Sequence, residues 1–235
     1  MHRLLYDYMV PIVDKNLDYD VWSCRKGKGL HGAIARTEEL IRKYPSSCVW
    51  RSDVVKFFDN VDQEVLKKTI VRQGFCEQAT WLCDEVINSA EQGIPIGNLT
   101  SQIFANVYMN NFDRFVRHKI KPLAYIRYGD DFLLFLSNRV LAERAEAERS
   151  EFLDKVLSLK LHPAQNHIVK PGHTVCFLGS TFFRDRNSRQ NLRSMPTNRV
   201  QLTSSKALKL SGKMTRVLDF IDPDSDFCEL SEKGL

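Results

Sequence analysis

The segment LAYIRYGDDFLLFL, residues 123–136, is the most informative part of this 235-residue chain. Two apolar runs, 123–127 and 132–135, flank the short polar segment YGDD at 128–131, a pattern typical of a β-hairpin. The two adjacent aspartates repel each other, most strongly where one lies close to a low-dielectric core. A bound divalent cation would cancel that repulsion. The plainer alternative is an Asx-type turn, in which Asp and Gly only satisfy the hairpin geometry.

A third acidic residue strengthens the metal interpretation. Asp53 lies near the end of the predicted strand 47–55 and is followed by the apolar-rich segment VVKFF. A carboxylate in such surroundings costs free energy unless it is paired. Taken alone, Asp53 could also cap a helix or end a surface strand. If its strand lies beside the hairpin, Asp53 and Asp130 converge, and such carboxylates can hold two Mg²⁺ ions about 3.5–4 Å apart for in-line phosphoryl transfer.

The rest of the chain predicts a mixture of helices and strands. Its periodicity predicts helices over about 2–17, 31–43, 62–72, 76–89, 101–119 and 139–159, with another near 205–221. A second hairpin is predicted from 166–170 and 174–183, turning at Pro171-Gly172. Because strands and helices alternate without a strict βαβ rhythm, the sequence favours an α+β fold with an antiparallel sheet packed on helices.

Composition excludes several classes of protein. A hydrophobic share of 43% and a charged share of 27% exclude a disordered chain. No run of about 18 apolar residues occurs, so we expect no membrane partner. The six cysteines include no C-x-x-C pair, which predicts free thiols in a reducing compartment and hence a cytoplasmic location. The net charge of +5 suits a polyanionic partner.

Four ordered segments resemble the motifs of reverse transcriptases. They are RSDVVKFFDNV at 51–61 for motif A, GIPIGNLTSQIFANVY at 93–108 for motif B, YIRYGDDF at 125–132 for motif C and FLG at 177–179 for the primer-grip motif E. Order and spacing fit from about residue 2 to 200. The chain resembles the prokaryotic, retron and group II intron-like type, closest to the reverse transcriptases of diversity-generating retroelements.

This resemblance implies a polymerase right-hand palm with partial fingers. Residues 1–50 would form the partial fingers, 51–183 the palm with motifs A to E, and 184–235 the start of a thumb or a C-terminal extension. We expect the upstream fingers hairpin and a complete thumb to be missing. The implied partners are an RNA template, a DNA or RNA primer, dNTPs and a basic accessory protein.

The resemblance also implies a two-metal polymerase site. Asp53, Asp130 and Asp131 would be the catalytic residues and metal ligands, with the Val54 carbonyl as a backbone ligand. Two Mg²⁺ ions are expected, with Mn²⁺ as a substitute. Phe58, five residues after Asp53, would be the steric gate that leaves no room for a 2′-OH. The plainer alternative for Phe58 is ordinary core packing.

Four further residues would contact the nucleotide or the template: Ile96, Gly97, Gln102 and Tyr128. Glycines let the backbone approach a nucleotide closely, and a helix N-terminus favours phosphate. A helix cap built from Asn98, Thr100 and Ser101 is a compatible alternative. Many family members carry glutamine where this chain has Ile96, and diversity-generating enzymes carry an apolar residue, so the resemblance implies error-prone copying.

Two other functions stay open. RNA-dependent RNA polymerases also use a G-D-D turn, but they prefer an acid at the gate position, where this chain has Phe58. A truncated, weakly active or inactive RNA-binding relic is the second alternative. The basic loop RKGKG at 25–29 is expected to contact phosphates of template or primer.

Overall fold

A computed structural model describes residues 1–161 and 166–182, together with the backbone of 194–196. Its helices are α1 (His2–Asp14), α2 (Leu30–Lys43), α3 (Phe57–Asn60), α4 (Gln63–Val71), α5 (Glu77–Asn88), α6 (Leu99–Phe115) and α7 (Arg139–Leu157). A π-helical turn, Val116–Ile120, continues α6. The strands are β1 (Cys48–Ser52), β2 (Ala124–Tyr128), β3 (Asp131–Leu136), β4 (His167–Val169), β5 (Val175–Phe177), β6 (Ser180–Phe182) and β7 (Ser194–Pro196).

The larger sheet has the strand order β2-β3-β1-β4, and all of its neighbours are antiparallel. Tyr128 pairs with Asp131 at the tip of the β2–β3 hairpin, as the sequence predicts. Ser52 at the end of β1 pairs with Phe132. The backbone at Asp53 therefore leaves the sheet beside the YGDD turn.

Two apolar cores cover the two faces of this sheet. One face packs against the helices and buries Trp50, Phe132 and Leu134 with residues of α1, α6 and α7. The opposite face buries Val49, Leu133 and Phe135 against α2, β5 and β6. Alternate residues of a strand point to opposite faces, so apolar β1 and β3 are what a sheet buried on both sides requires. The predicted α+β class and helix-packed antiparallel sheet are confirmed.

The predicted helix that begins after Asp62 is also confirmed. The Asp62 side chain accepts a hydrogen bond from the Val65 amide at 3.0 Å and so caps α4. Over the described ranges, no helix combines the length and the apolar character that crossing a bilayer would need.

The predicted second hairpin is wrong in its pairing. Strand β4 pairs with β1 at the edge of the larger sheet and not with β5. Strand β5 instead pairs with β6 across a turn at Leu178 and Gly179, whose φ angles are 50° and 68°. The predicted helix near 205–221 and nearly all of the segment 184–235 lie outside the described residues.

Candidate active site

The YGDD segment forms a tight turn, here called the acidic turn (residues 128–131), between β2 and β3. Gly129 adopts a φ of 64°, a left-handed conformation that glycine reaches without steric cost. The pairing of β1 with β3 brings Asp53 to the same end of the sheet. The structure therefore places Asp53, Asp130 and Asp131, the three acids predicted from the sequence, at the same end of the sheet.

Burial and the neighbouring acids both perturb the ionisation of Asp130. Burial, followed by the negative charge of Asp53, raises the pKa of Asp130 to about 8. The Asp131 carboxylate adds a smaller contribution in the same direction. Asp53 accepts a hydrogen bond from the neighbouring Val54 amide at 2.9 Å. Asp130 is therefore a carboxyl group that a nearby cation would ionise near neutral pH.

Asp131 differs from Asp130 because a guanidinium faces it. Burial raises the pKa of Asp131 to about 7. The positive charge of Arg51 acts in the opposite direction, and the negative charge of Asp53 raises the pKa further. The Arg51 Nη2 atom lies 3.3 Å from Asp131 Oδ2. The other oxygen, Oδ1, is buried without a hydrogen-bond partner. Asp131 thus keeps one oxygen available to a donor or a cation.

The chemistry of this site fits a hard divalent cation. Carboxylate oxygens are the ligands that Mg²⁺ prefers, and a cation would relieve both the repulsion at Asp130 and the unpartnered Asp131 oxygen. Among the described residues, no three His, Cys, Asp or Glu side chains are arranged as a metal-binding group.

A buried polar network, which the sequence analysis did not predict, holds the acidic turn. Arg127 is fully buried, and its guanidinium donates to both Asp113 carboxylate oxygens at 2.8 and 2.6 Å. Its Nη1 atom also donates to the Gly129 carbonyl at 2.8 Å. The Gly129 amide donates to Ser23 Oγ at 2.9 Å. Both backbone polar groups of Gly129 are thereby fixed from outside the turn.

The charge of Arg127 is maintained inside the protein. Burial opposes the charged form, but the Asp113 carboxylate outweighs it and holds the pKa of Arg127 above its ordinary value. Asn106 of α6 accepts a further hydrogen bond from Arg127 at 3.1 Å. An arginine within an apolar strand is the only sequence signal for this network, because Asp113 and Asn106 lie on a different element, 14 and 21 positions earlier.

The predicted gate residue, Phe58, contacts the glycine-containing loop before α6 (residues 93–98, here called the motif B loop) through its backbone. The Ile94 amide donates to the Phe58 carbonyl at 2.9 Å. Gly93 has a φ of +68°, and a Cβ atom there would lie only 2.0 Å from the same carbonyl oxygen. The Phe58 ring is half-buried and meets Phe57 edge-on at 5.5 Å between centroids. Phe58 therefore packs on the core and also borders the glycine loop.

The other residues predicted to contact the nucleotide or the template occupy different environments. Ile96 is 70% exposed, which is unusual for an aliphatic side chain. Gly97 has a φ of +93° with open space around it. Gln102 lies on the first turns of α6, where its Oε1 atom accepts a hydrogen bond from Cys24 Sγ at 3.4 Å. Tyr128 ends β2 and packs on the second core.

The alternative helix cap at the start of α6 is not made by the side chains proposed for it. Asn98 occupies the N-cap position without a side-chain capping bond. Thr100 Oγ1 lies 2.8 Å from His2 Nδ1 instead, and Ser101 Oγ is buried without a partner. In the basic loop, Arg25 bonds Asp14 at 2.5 Å, so its charge is used internally.

The comparisons with known proteins identify the family of this chain. A family model described as reverse transcriptase (RNA-dependent DNA polymerase) matches residues 1–182. The chain belongs to the reverse transcriptase family. Among curated proteins, it is 22% identical to Protein YkfC from Escherichia coli (strain K12) over 264 aligned positions, covering 93% of this chain and 68% of that protein.

Solved telomerase structures share the fold of this reverse transcriptase chain. Apo telomerase from Candida tropicalis superposes with a TM-score of 0.66 at 12% identity, covering 92% of this chain and 44% of that one. Telomerase from Candida albicans in complex with a TWJ fragment of telomeric RNA gives 0.60 at 12% identity, covering 78% and 37%. The chain therefore spans less than half the length of these telomerases.

These findings confirm the prediction of a prokaryotic-type reverse transcriptase with a partial polymerase fold. They also confirm the enzyme class, RNA-directed DNA polymerase, at the level of the family. The diversity-generating subtype stays a prediction.

Proposed function

We propose that this chain extends a primer 3′-OH on an RNA template with dNTPs, in a site that requires divalent cations. The observation that carries this proposal is the pairing of β1 with β3, which puts Asp53 and the acidic turn that contains Asp130 at one end of the sheet. Family membership supplies the reaction class.

In this proposal Asp53, Asp130 and Asp131 hold Mg²⁺, or Mn²⁺ in its place, with the Val54 carbonyl as a further oxygen ligand. The bound ions would supply activation of the attacking hydroxyl and neutralisation of charge on the leaving pyrophosphate. The chain itself holds its acids at one end of the sheet. Arg51 keeps Asp131 partly neutralised, so Asp131 would be the weakest of the three ligands.

The nucleotide would lie between the acidic turn and the motif B loop. Phe58 would exclude a 2′-OH, while Gly97 would let the backbone approach the nucleotide closely. Tyr128, Ile96 and Gln102 would contact the incoming nucleotide or the template. In domain terms, residues 51–183 would form the palm and residues 1–50 the partial fingers.

Primer extension tests the proposal. The full chain is offered RNA and DNA templates, dNTPs or NTPs, and Mg²⁺ or Mn²⁺. We expect dNTP incorporation on RNA, and Asp130→Asn should lower it by on the order of a hundredfold or more, since metal stabilisation of the transition state is worth several kcal/mol. Asp154→Asn removes an exposed carboxylate of α7 and is the matched control, with activity expected to be unchanged.

Each alternative has its own outcome in the same assay. Incorporation of NTPs in preference to dNTPs would assign the site to RNA synthesis and contradict the role of Phe58. Absence of product with every template and metal, while RNA still binds, would favour the RNA-binding relic.

A finer proposal concerns fidelity and rests on Ile96. Its 70% exposure leaves an aliphatic side chain on the surface of the motif B loop, where a glutamine could form polar contacts with the template or nucleotide. We expect Ile96→Gln to lower misincorporation, as measured by sequencing the products. An unchanged error spectrum would contradict error-prone copying and with it the proposed diversity-generating subtype, for which a basic accessory protein is the expected partner.

A further inference from the structure

A polar cavity of about 600 Å³ opens beside the C-terminal end of α6. Its wall includes Lys15 at the end of α1, Arg72 at the end of α4 and Arg114 in the last turn of α6. These three exposed cations are here called the basin cations. The cavity lies apart from the start of α6, because Asn110, the first α6 residue in its wall, is about 16 Å along the helix from Leu99.

The charge of this cavity is positive because its acids are already paired. Asp18 accepts two hydrogen bonds from Arg117, each at 2.6 Å. Asp113 is occupied by the buried Arg127 at 2.6 Å. The basin cations form no ion pair with any residue in the described part of the chain. The cavity thus offers three uncompensated positive charges to a ligand from solution.

An aromatic wall adjoins the basin cations. A second cavity of about 510 Å³ shares Arg114 with the first and is lined further by Phe115, Lys119, Phe152 and Val156. The rings of Phe115 and Phe152 are stacked, with centroids 4.2 Å apart and planes at 15°. Both rings are only half-buried, and Val156 is 46% exposed. A partly exposed apolar surface therefore lies next to the cations.

We propose that these adjoining cavities bind single-stranded nucleic acid at a site separate from the polymerase site. Basic side chains that contact phosphates beside aromatic rings that contact bases are the chemistry by which proteins hold single strands. The basin cations would contact successive phosphates, and the aromatic wall would contact a base. An acidic peptide would match the charge of the basin cations, but it would leave the aromatic wall of Phe115 and Phe152 without a role.

Binding of short single-stranded oligonucleotides to the full chain tests this proposal without Mg²⁺ or dNTPs, so its outcome does not depend on polymerisation. RNA and DNA of one sequence are each titrated at several salt concentrations. We expect the double variant R72E/R114E to bind at least about fivefold more weakly, and the slope of log K against log salt to fall in magnitude by about 1.4, for two lost phosphate contacts.

The matched control is R139E/R144E. Both arginines are exposed on α7, each is ion-paired to a glutamate four residues later, and the change in net charge is the same. Its affinity should stay within about twofold of the unmodified chain, because screening limits the effect of a distant surface charge. Equal weakening by the two double variants would overturn the proposal, since it would show only a general charge effect.

Photo-crosslinking gives a second, local measurement. Oligonucleotides carrying a thio-substituted pyrimidine should cross-link to peptides containing Phe115 or Phe152, and R72E/R114E should suppress these products. Binding of RNA alone or of both strand types would support the site and define its sugar preference. Cross-links confined to the acidic turn would overturn it. Polyglutamate serves as a probe for the acidic-peptide alternative. If R72E/R114E weakened the binding of polyglutamate but not of oligonucleotides, the proposal would also be overturned.

Discussion

Replacing Asp130 with asparagine should stabilise the folded chain in the absence of divalent cations, although it should strongly lower the proposed activity. Burial and the charge of Asp53 raise the pKa of Asp130 from 3.8 to about 8. Between these pH values the unfolded chain releases the proton while the folded chain retains it. The free energy of unfolding therefore falls as the pH rises from about 4 to about 8.

The size of this effect follows from the difference in proton affinity. The proton affinity of Asp130 differs between the folded and unfolded states by roughly four factors of ten, and each factor corresponds to about 1.36 kcal/mol. Ionisation of this carboxyl group therefore lowers the free energy of unfolding by about 5 kcal/mol at about pH 9. Asparagine removes that charge but keeps a buried polar group, whose burial costs about 1–3 kcal/mol. The expected net gain is about 2–4 kcal/mol at about pH 9, and it should shrink as the pH approaches 4.

Urea denaturation with a chelator present, at about pH 5 and about pH 9, measures this gain. Asp154→Asn, in the exposed face of α7, should show no gain at either pH. Added Mg²⁺ should raise the free energy of unfolding of the unmodified chain at high pH and should have little effect on Asp130→Asn. Equal stability of the unmodified chain and Asp130→Asn at about pH 9 without metal would refute the reasoning from burial and repulsion.

Three further variants test individual contacts by urea denaturation. Gly93→Ala should lower the free energy of unfolding by about 3 kcal/mol, because its Cβ would lie 2.0 Å from the Phe58 carbonyl oxygen at a left-handed φ. Gly97→Ala also has a left-handed φ but lies in open space, so it should lower the free energy of unfolding by only about 1 kcal/mol. Similar losses in the two variants would contradict the close approach. Ser23→Ala leaves the amide of the acidic turn without its acceptor, so we expect a loss of about 1–3 kcal/mol together with slower primer extension, and unchanged extension would exclude a positioning role. Asp62→Ala should cost about 1 kcal/mol through loss of the α4 cap, with primer extension unchanged.

The hairpin at the centre of the candidate site could be predicted because its signals are local. An apolar run on each side of YGDD specifies a hairpin, and a strand that ends at Asp53 could bury its apolar face only against a neighbour. The antiparallel pairing of β1 with β3 then brings the acids together.

The errors and omissions concern contacts that local patterns cannot specify. Strand β4 has only three residues, and its apolar pattern suits pairing with β1 or with β5 equally well. The turn at Leu178 and Gly179 carries a positive φ at a leucine, which no propensity favours. Arg127 is held by partners in α6 and by the backbone of a turn whose amide bonds Ser23, 106 positions away. Such pairings become visible only once the helices are packed.

The close approach of Gly93 to the Phe58 carbonyl joins two segments through the main chain. Exchange of the side chain at 58 would leave this approach in place, because only the carbonyl of residue 58 takes part in it. A side chain at 93 would push away the peptide that carries residue 58. Under the proposed gate role of Phe58, sugar preference could therefore be altered at one position without moving the loop, while the loop has to keep its glycine.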